Sequence, residues 1–397
     1  MTEQQILNSY DEHILNTYTR EPLVFVKGKG SMLTDIHGKK YLDFFPGWGV
    51  SHLGHCHPKV MGAVREQIGK LIHIPNNFYN PHQAKLAHEL NRIAFESKIF
   101  FCNSGAEANE AAIKFVRAWG QGEKAQVITT SNAFHGRTMG SLSATGQEKH
   151  QTPFLPMLEG FIAVPFNDIG CIKKAISSAT AAIILELVQG EGGIHVAQKD
   201  YIKEIRQLCD LHQILFVIDE VQTGMARTGA MFAYMHYGIT PDIMTLAKAL
   251  GGGLPIGAML VKKELSGTFK PGMHGSTFAG SPLVCKAAVG VIKAISADKI
   301  LQNVRKQGPY LMQKLNLLKK KYPVIKEVRG LGLMVGVELN IDGNEIFKEC
   351  LKRSLIINCT QGNVLRIMPA LNITKRQIDK AVFILDKAME TAGGLRI

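Results

Sequence analysis

Ile218-Asp219-Glu220-Val221-Gln222-Thr223-Gly224, followed by Pro241-Asp242-Ile243-Met244-Thr245-Leu246-Ala247-Lys248-Ala249-Leu250-Gly251-Gly252-Gly253, is the stretch that decides the fold. Each half ends a short apolar run, residues 214–218 and Ile243–Leu246, on a charged side chain, Asp219 or Lys248. Runs of this kind read as strands buried on both faces, the habit of parallel sheets. Asp219 and Lys248 stand 29 residues apart, room for one crossover. Adjacent parallel strands therefore bring the acid and the amine to one crevice beyond their carboxyl ends.

The same alternation recurs upstream. Strands are expected at residues 98–102, Gln126–Thr130 and 181–187, separated by helices at 106–119, 172–178 and 200–212. That order predicts a mostly parallel sheet with helices on both faces. Beyond about residue 285 the texture changes: helical patterns at 284–296 and Ile300–Lys321 lead to an apolar strand at 335–339. Near the N-terminus, strand-like runs at 23–27 and 31–35 precede a turn at Gly38-Lys39-Lys40. The expected organisation is a large α/β domain over residues 50–285 and a smaller α+β domain from residues 1–49 and 286–397.

Composition narrows the function classes. The chain has 397 residues, 46% hydrophobic and 20% charged, with no biased tract, as a globular protein of about two domains has. Its seven cysteines are scattered and form no C-x-x-C, which reads as buried reduced thiols and a cytoplasmic protein. The opening Met-Thr-Glu-Gln-Gln lacks the regions of a signal peptide, and no apolar run reaches the roughly 18–20 residues of a membrane span, so no membrane partner is expected. The net charge of +13 raises a nucleic-acid partner, but the lysines are dispersed. The densest run, Lys319-Lys320-Lys321, has no interleaved aromatics and reads as a solvated helix face.

The loops that follow the strands carry the chemistry. Asn103-Ser104-Gly105-Ala106-Glu107 opens a helix, with Ser104 and Glu107 at capping-box spacing and Gly105 letting backbone N–H groups converge on a phosphate; taken alone, many ordinary helices begin this way. Asn132-Ala133-Phe134-His135-Gly136-Arg137-Thr138 sets an aromatic beside an arginine, suited to ring stacking and carboxylate binding. Asp219, after a buried strand, needs a cation or donors; a pyridinium N–H⁺ is one partner and Mg²⁺ another, and no His or P-loop nearby in sequence supports the metal. Lys248 at an apolar strand end can have its pKa lowered by desolvation, as a Schiff-base lysine requires. Gly275-Ser276-Thr277-Phe278-Ala279-Gly280 is hydroxyl-rich and flexible, suited to a phosphate oxygen. His52, His55 and His57 read as turn histidines rather than zinc ligands, so no metal is expected, and the glycines from Gly251 to Gly257 match no dinucleotide fingerprint.

Together these blocks resemble the class III (ω-amino acid) pyridoxal-phosphate aminotransferases of fold type I, and the likeness runs from Leu33-Thr34-Asp35 to Leu365-Arg366-Ile367-Met368-Pro369. The resemblance implies a mostly parallel seven-stranded sheet in the large domain and pyridoxal 5'-phosphate (PLP) as cofactor. It implies Lys248 as the Schiff-base lysine and proton carrier, Asp219 against the pyridine nitrogen, Gln222 on the ring oxygen and Phe134 on the ring face. Ser104, Gly105, Ala106 and Val221 would complete the cofactor site, with Thr277 reaching the phosphate from the neighbouring subunit of a homodimer. Within the class, Asn76-Asn77-Phe78-Tyr79-Asn80 and Phe134-His135-Gly136-Arg137-Thr138 are most similar to the branch acting on N2-acetylornithine. Arg137, with Ser276 nearby, would take that substrate's α-carboxylate. Arg366 would take the carboxylate of glutamate, and Glu191 would pair with Arg366 when glutamate is absent. The implied reaction is a ping-pong exchange with 2-oxoglutarate.

Departures from the family pattern are Leu187, Met225-Ala226-Arg227, Ala279-Gly280-Ser281 and Ala370. They leave ornithine, succinylornithine and 4-aminobutyrate open as donors, and succinyl-diaminopimelate as a second substrate. A rival from another class is an inactive scaffold or basic nucleic-acid binder.

Overall fold

All seven residues of the strand Thr180–Glu186 and all five of Leu215–Asp219 are buried, which is why neither shows apolar–polar alternation. They form the middle of a seven-stranded sheet in the computed structural model, which describes residues 1–392. In chain order its strands are β1 (Ser97–Cys102), β2 (Gln126–Thr130), β3 (Phe161–Val164), β4 (Thr180–Glu186), β5 (Leu215–Asp219), β6 (Ile243–Leu246) and β7 (Gly257–Lys262). Their spatial order is β1-β7-β6-β5-β4-β2-β3. The β6–β5–β4–β2–β3 pairs are parallel, while β7 runs against both β6 and β1. Asp219 and the residue before Ala247-Lys248 thus lie at neighbouring parallel strand ends, as the 29-residue spacing predicts.

The sheet divides two apolar layers. Ala182, Ile184, Leu215 and Val217 pack with Ala111, Ala112, Phe115 and Val116 of the helix Gly105–Trp119. Ile183, Leu185, Phe216 and Ile218 face the opposite layer with Ile202, Ile205 and Cys209 of the helix Lys199–His212. Two residues per strand repeat, split between two covered faces, is what a doubly covered sheet demands.

Among the described residues, two four-stranded sheets and the antiparallel pair Val188–Gln189 with His195–Val196 complete the fold. Phe25–Lys29, Met32–Asp35 and Lys40–Asp43 form a meander, and Leu355–Ile356 joins it parallel to Lys40–Asp43, so the two ends of the sequence share one sheet. Ile325–Leu331, Met334–Leu339, Val364–Ile367 and Asn358–Thr360 form an antiparallel sheet. Arg227 links the loop after β5 to this second sheet: its guanidinium donates to Leu333 O and Pro369 O at 3.0 and 2.6 Å with 1% of the residue exposed. Burial alone pushes its pKa down to about 9.

Some boundaries differ from expectation. The first strand spans Phe25–Lys29 rather than 23–27. The helix expected at 172–178 is Ile169–Ala175, because the Asp168 side chain accepts from Cys171 N and starts it early. Strands β3 and β7 are additions to the sequence reading. All seven cysteines are free thiols, though Cys56 is exposed and Cys171 and Cys359 are only partly buried, contrary to the expectation of buried thiols; no helix among the described residues is long and apolar enough to cross a membrane.

Gly257 is where β7 meets the end of β1: a Cβ there would stand 2.4 Å from Ser104 O and 2.7 Å from Cys102 Sγ. Gly257→Ala is therefore expected to destabilise the protein by about 1–3 kcal/mol, the usual cost of overpacking, read as a lower midpoint of denaturant unfolding.

Candidate functional site

The parallel register sets Asp219 opposite Glu186 on one side and Thr245 on the other. Asp219 is 4% exposed, so its carboxylate has to be satisfied by protein donors. Oδ2 accepts from Asn109 Nδ2 at 2.7 Å and His135 Nδ1 at 2.8 Å, and Oδ1 accepts from Val221 N at 3.0 Å. Asn109 is held in turn: it donates to His135 O at 2.7 Å and accepts from Thr245 Oγ1 at 2.8 Å. The His135 that sequence proximity could not supply is thus delivered from another loop, and its buried Nε2 has no protein partner. Among the described residues no group of three or more His, Cys, Asp or Glu side chains is arranged to hold a metal ion. His55 and His57 pair instead with Asp43 and Asp298, at 2.7 and 3.2 Å.

Asp219 lines a cavity of about 480 Å³. Nine of the thirteen residues singled out from sequence line it: Ser104, Gly105, Ala106, Phe134, Arg137, Asp219, Val221, Gln222 and Lys248. Lys248 follows β6 with a left-handed backbone, φ 42°. Burial lowers the pKa of its amine, and the nearby carboxylates of Glu191 and Asp219 offset this in part. A larger neutral fraction is what a nucleophilic amine needs.

At the loop of residues 103–107, the capping box is half made. Ser104 Oγ accepts from Glu107 N at 3.1 Å, but the Glu107 carboxylate turns back to Asn103, taking its backbone N–H at 3.1 Å and its amide at 2.9 Å. The N–H groups of the first turn, Gly105 and Ala106 among them, have no acceptor inside the helix. A Cβ on Gly105 would lie 2.8 Å from Val221 Cγ1, so only glycine lets backbone and strand loop close up here. Gln222 Oε1 is buried and without a partner, an open acceptor on the cavity wall.

Arg366 is not among the residues lining this cavity and is fully buried. Its Nη1 and Nη2 meet Glu191 Oε1 and Oε2 at 2.7 and 3.1 Å, a two-point ion pair, while Nη1 also donates to Gly190 O at 2.9 Å and Nε to Asn358 Oδ1 at 3.1 Å. Burial works against the Glu191 charge, but Arg366 outweighs it and holds the carboxyl below its ordinary value. The Phe45 and Trp48 rings stand 4.6 and 5.6 Å from the guanidinium. Arg137 is exposed, with its guanidinium 5.6 Å from the Phe134 ring.

Ser276 and Thr277 do not line the cavity of their own chain. Ser276 Oγ accepts from Asn103 Nδ2 at 2.9 Å and borders a neighbouring hollow, and Thr277 is exposed. Sequence reasoning missed Asn109, Glu186, Phe45, Trp48 and Asn358, and gave His135 no role. Only Glu186 carried a signal, an acid closing an apolar run as Asp219 does.

Comparisons with known proteins point the same way. The family model of the aminotransferase class-III proteins matches residues 15–389. The acetylornithine aminotransferase of Methanocaldococcus jannaschii is 49% identical over 396 residues, 98% of this chain and 98% of that protein. That of Caldanaerobacter subterraneus subsp. tengcongensis is 48% identical over 383 residues, 95% and 97% of the two. A solved ornithine aminotransferase from Toxoplasma gondii superposes with a TM-score of 0.94 at 32% identity, covering 98% of this chain and 95% of its own, and its structure shows partial occupancy of PLP at the active site.

Glu220, next to Asp219, is 1% exposed, and burial pushes its carboxyl up to about 7 from the ordinary 4.5. The folded chain therefore keeps a proton that the unfolded chain has lost between those values, and raising the pH favours unfolding across that window. Glu220→Gln removes this term. Its stability is expected to fall less steeply with pH than the wild type's between pH 5 and 7, by up to roughly 1.4 kcal/mol per pH unit, measured from urea midpoints at several pH values.

Proposed function

The chain belongs to the class-III aminotransferases, and from that membership we propose that it moves the δ-amino group of N2-acetylornithine to 2-oxoglutarate, using PLP. The observation that carries the reading is Arg366, fully buried and neutralised by Glu191, with both close enough to Lys248 to act on its charge. A buried arginine held by an internal carboxylate is a site that another carboxylate can occupy once Glu191 swings away. Relatives named for the acetylornithine reaction supply the donor.

The residues present fit the cofactor. Gln222 Oε1 is an unpartnered buried acceptor for a ring hydroxyl, and the Gly105 cradle admits no side chain where a phosphate would approach the helix start. When bound, PLP supplies an aldehyde that exchanges with amines and a ring that withdraws electrons. Lys248 is the amine that would hold it, and when free would be the base that carries a proton away from the substrate carbon. Asp219, kept in place by Asn109 and His135, would hold the proton on the ring nitrogen. Phe134 covers the ring, and Ser104, Ala106 and Val221 frame it. Arg137 takes the α-carboxylate of the acylated donor with Ser276 nearby, and Arg366 takes that of glutamate.

The site works in a homodimer in which the partner subunit's Thr277 completes the phosphate end. Supporting this, Thr277 is exposed beside Phe278, itself 66% exposed, and close to the fully exposed Tyr79. Asn76 and Asn80 join the two segments by donating to Ala279 O and Gly280 O at 2.9 and 3.0 Å. Such an apolar patch is unusual on a monomer's surface. Free thiols throughout suit a reducing compartment, and we place the enzyme in the cytoplasm.

Steady-state rates with 2-oxoglutarate as acceptor test the donor. N2-Acetylornithine is expected to give the highest kcat/KM; a higher value for ornithine, succinylornithine or 4-aminobutyrate would reassign the substrate. Lys248→Ala is expected to lose turnover and the visible absorbance of the bound cofactor. Arg366→Ala is expected to raise KM for 2-oxoglutarate on the order of 30-fold or more, as loss of a buried bidentate charge pair does.

A further inference from the structure

Glu186 ends β4 directly opposite Asp219, so two acids stand side by side where water is excluded. Such a pair is unfavourable unless both carboxyls are engaged. Glu186 has no role in the chemistry above, yet neither of its oxygens is idle. Oε1 accepts from Phe134 N at 2.9 Å and Oε2 from Gly190 N at 3.0 Å. We infer that Glu186 is a positioning residue: one buried carboxyl ties the loop that carries Phe134 to the loop that carries Glu191, fixing the ring-stacking face and the frame of the Arg366 carboxylate site together.

The frame of that second loop is held at four points. Gly190 donates to Glu186 and accepts from Arg366, while the Glu191 carbonyl accepts from Thr360 Oγ1 at 2.8 Å and Gln361 Nε2 at 2.7 Å. Backbone on both sides of the Glu191 side chain is therefore pinned, and exchange of Glu191 for a substrate carboxylate needs only side-chain rotation. Gly190 is the one residue that fits this frame, since a Cβ there would lie 2.1 Å from Gln222 Oε1. Without the Glu186 anchor, Gly190 is held on one side only, and Glu191 no longer meets Arg366 in a set geometry. On the other loop, Phe134 N loses its acceptor in a partly buried place, which shifts the ring.

The inference rests on the reading of Arg366 and Glu191 as the glutamate carboxylate site. Its test measures two constants: the Kd of PLP for apoprotein prepared from the holoenzyme, by fluorescence titration, and half-saturation by glutamate in single-turnover amino transfer. Glu186→Leu fills similar space and accepts nothing. It is expected to raise each constant about tenfold, the scale of losing one buried hydrogen bond. In a Glu191→Gln background it is expected to change the glutamate constant by less than about twofold, while the shift in PLP Kd persists, because its route to Arg366 runs through Glu191. Equal shifts of the glutamate constant in both backgrounds, or no shift of either constant, overturn the inference. Should Glu186→Leu fail to fold, Glu186→Gln retains one acceptor and must raise at least one constant by about threefold or more; a variant that moves neither overturns it. Failure of the underlying reading looks different: Arg366→Ala and Glu191→Gln alone would then leave half-saturation by glutamate unchanged.

Discussion

An ionised carboxylate at the end of a fully buried strand costs on the order of several kcal/mol unless donors meet it at once. Asp219 is in that position, and the surrounding architecture answers it. Asn109 comes from the helix Gly105–Trp119 and His135 from the loop after β2, so two separate elements converge on one carboxylate, and Thr245 of β6 holds Asn109 in turn. Each contact also places something else. The helix that delivers Asn109 opens with the Ser104–Ala106 cradle, the loop that delivers His135 carries Phe134 and Arg137, and the strand that delivers Thr245 runs on to Lys248. Satisfying one charge thereby assembles the cavity.

Two buried arginines show how burial separates structural from exchangeable charge. Arg227 has no carboxylate partner among the described residues; it donates to Leu333 O and Pro369 O, groups that cannot move without moving the backbone. Burial drives its pKa down to about 9, so the position is maintained at a cost that two sheets' worth of packing absorbs. Arg366 is equally buried but faces Glu191, a side chain with rotamers to spare on a pinned backbone. Only the second arrangement could be traded for another carboxylate, because such an exchange replaces one anion by another and leaves no charge uncompensated.

Much of this was legible in the sequence where the physics is local. Residues 214–218 and Ile243–Leu246 announce buried strands by composition, and the charged residues that end them announce the site. What stayed hidden depends on three-dimensional neighbours. Asn109 sits mid-helix among alanines and looks like a solvent-face polar residue, yet it is 1% exposed and bonded to Asp219. Glu186 fell inside an expected strand at 181–187, one residue too long, which masked it as a strand-end acid. The reversed direction of β7 leaves no trace either, since a strand buried on both faces has the same composition whichever way it runs. Phe45 and Trp48 lie over 300 residues from Arg366 in the chain, and only the fold brings the rings to the guanidinium.

The half-made capping box belongs to the same logic. A full box would turn the Glu107 carboxylate toward the Ser104 backbone, close to the first-turn N–H groups that a phosphate needs. In this fold the Glu107 carboxylate is drawn to Asn103, whose amide also donates to Ser276. A negative charge is thereby anchored on the side of Ser276, while Ser104 still caps the helix through its hydroxyl. The start of the helix keeps its partial positive charge and its free donors for an anion, and the motif that sequence spacing marks as a helix signal acts here as a means of keeping a competing carboxylate in check.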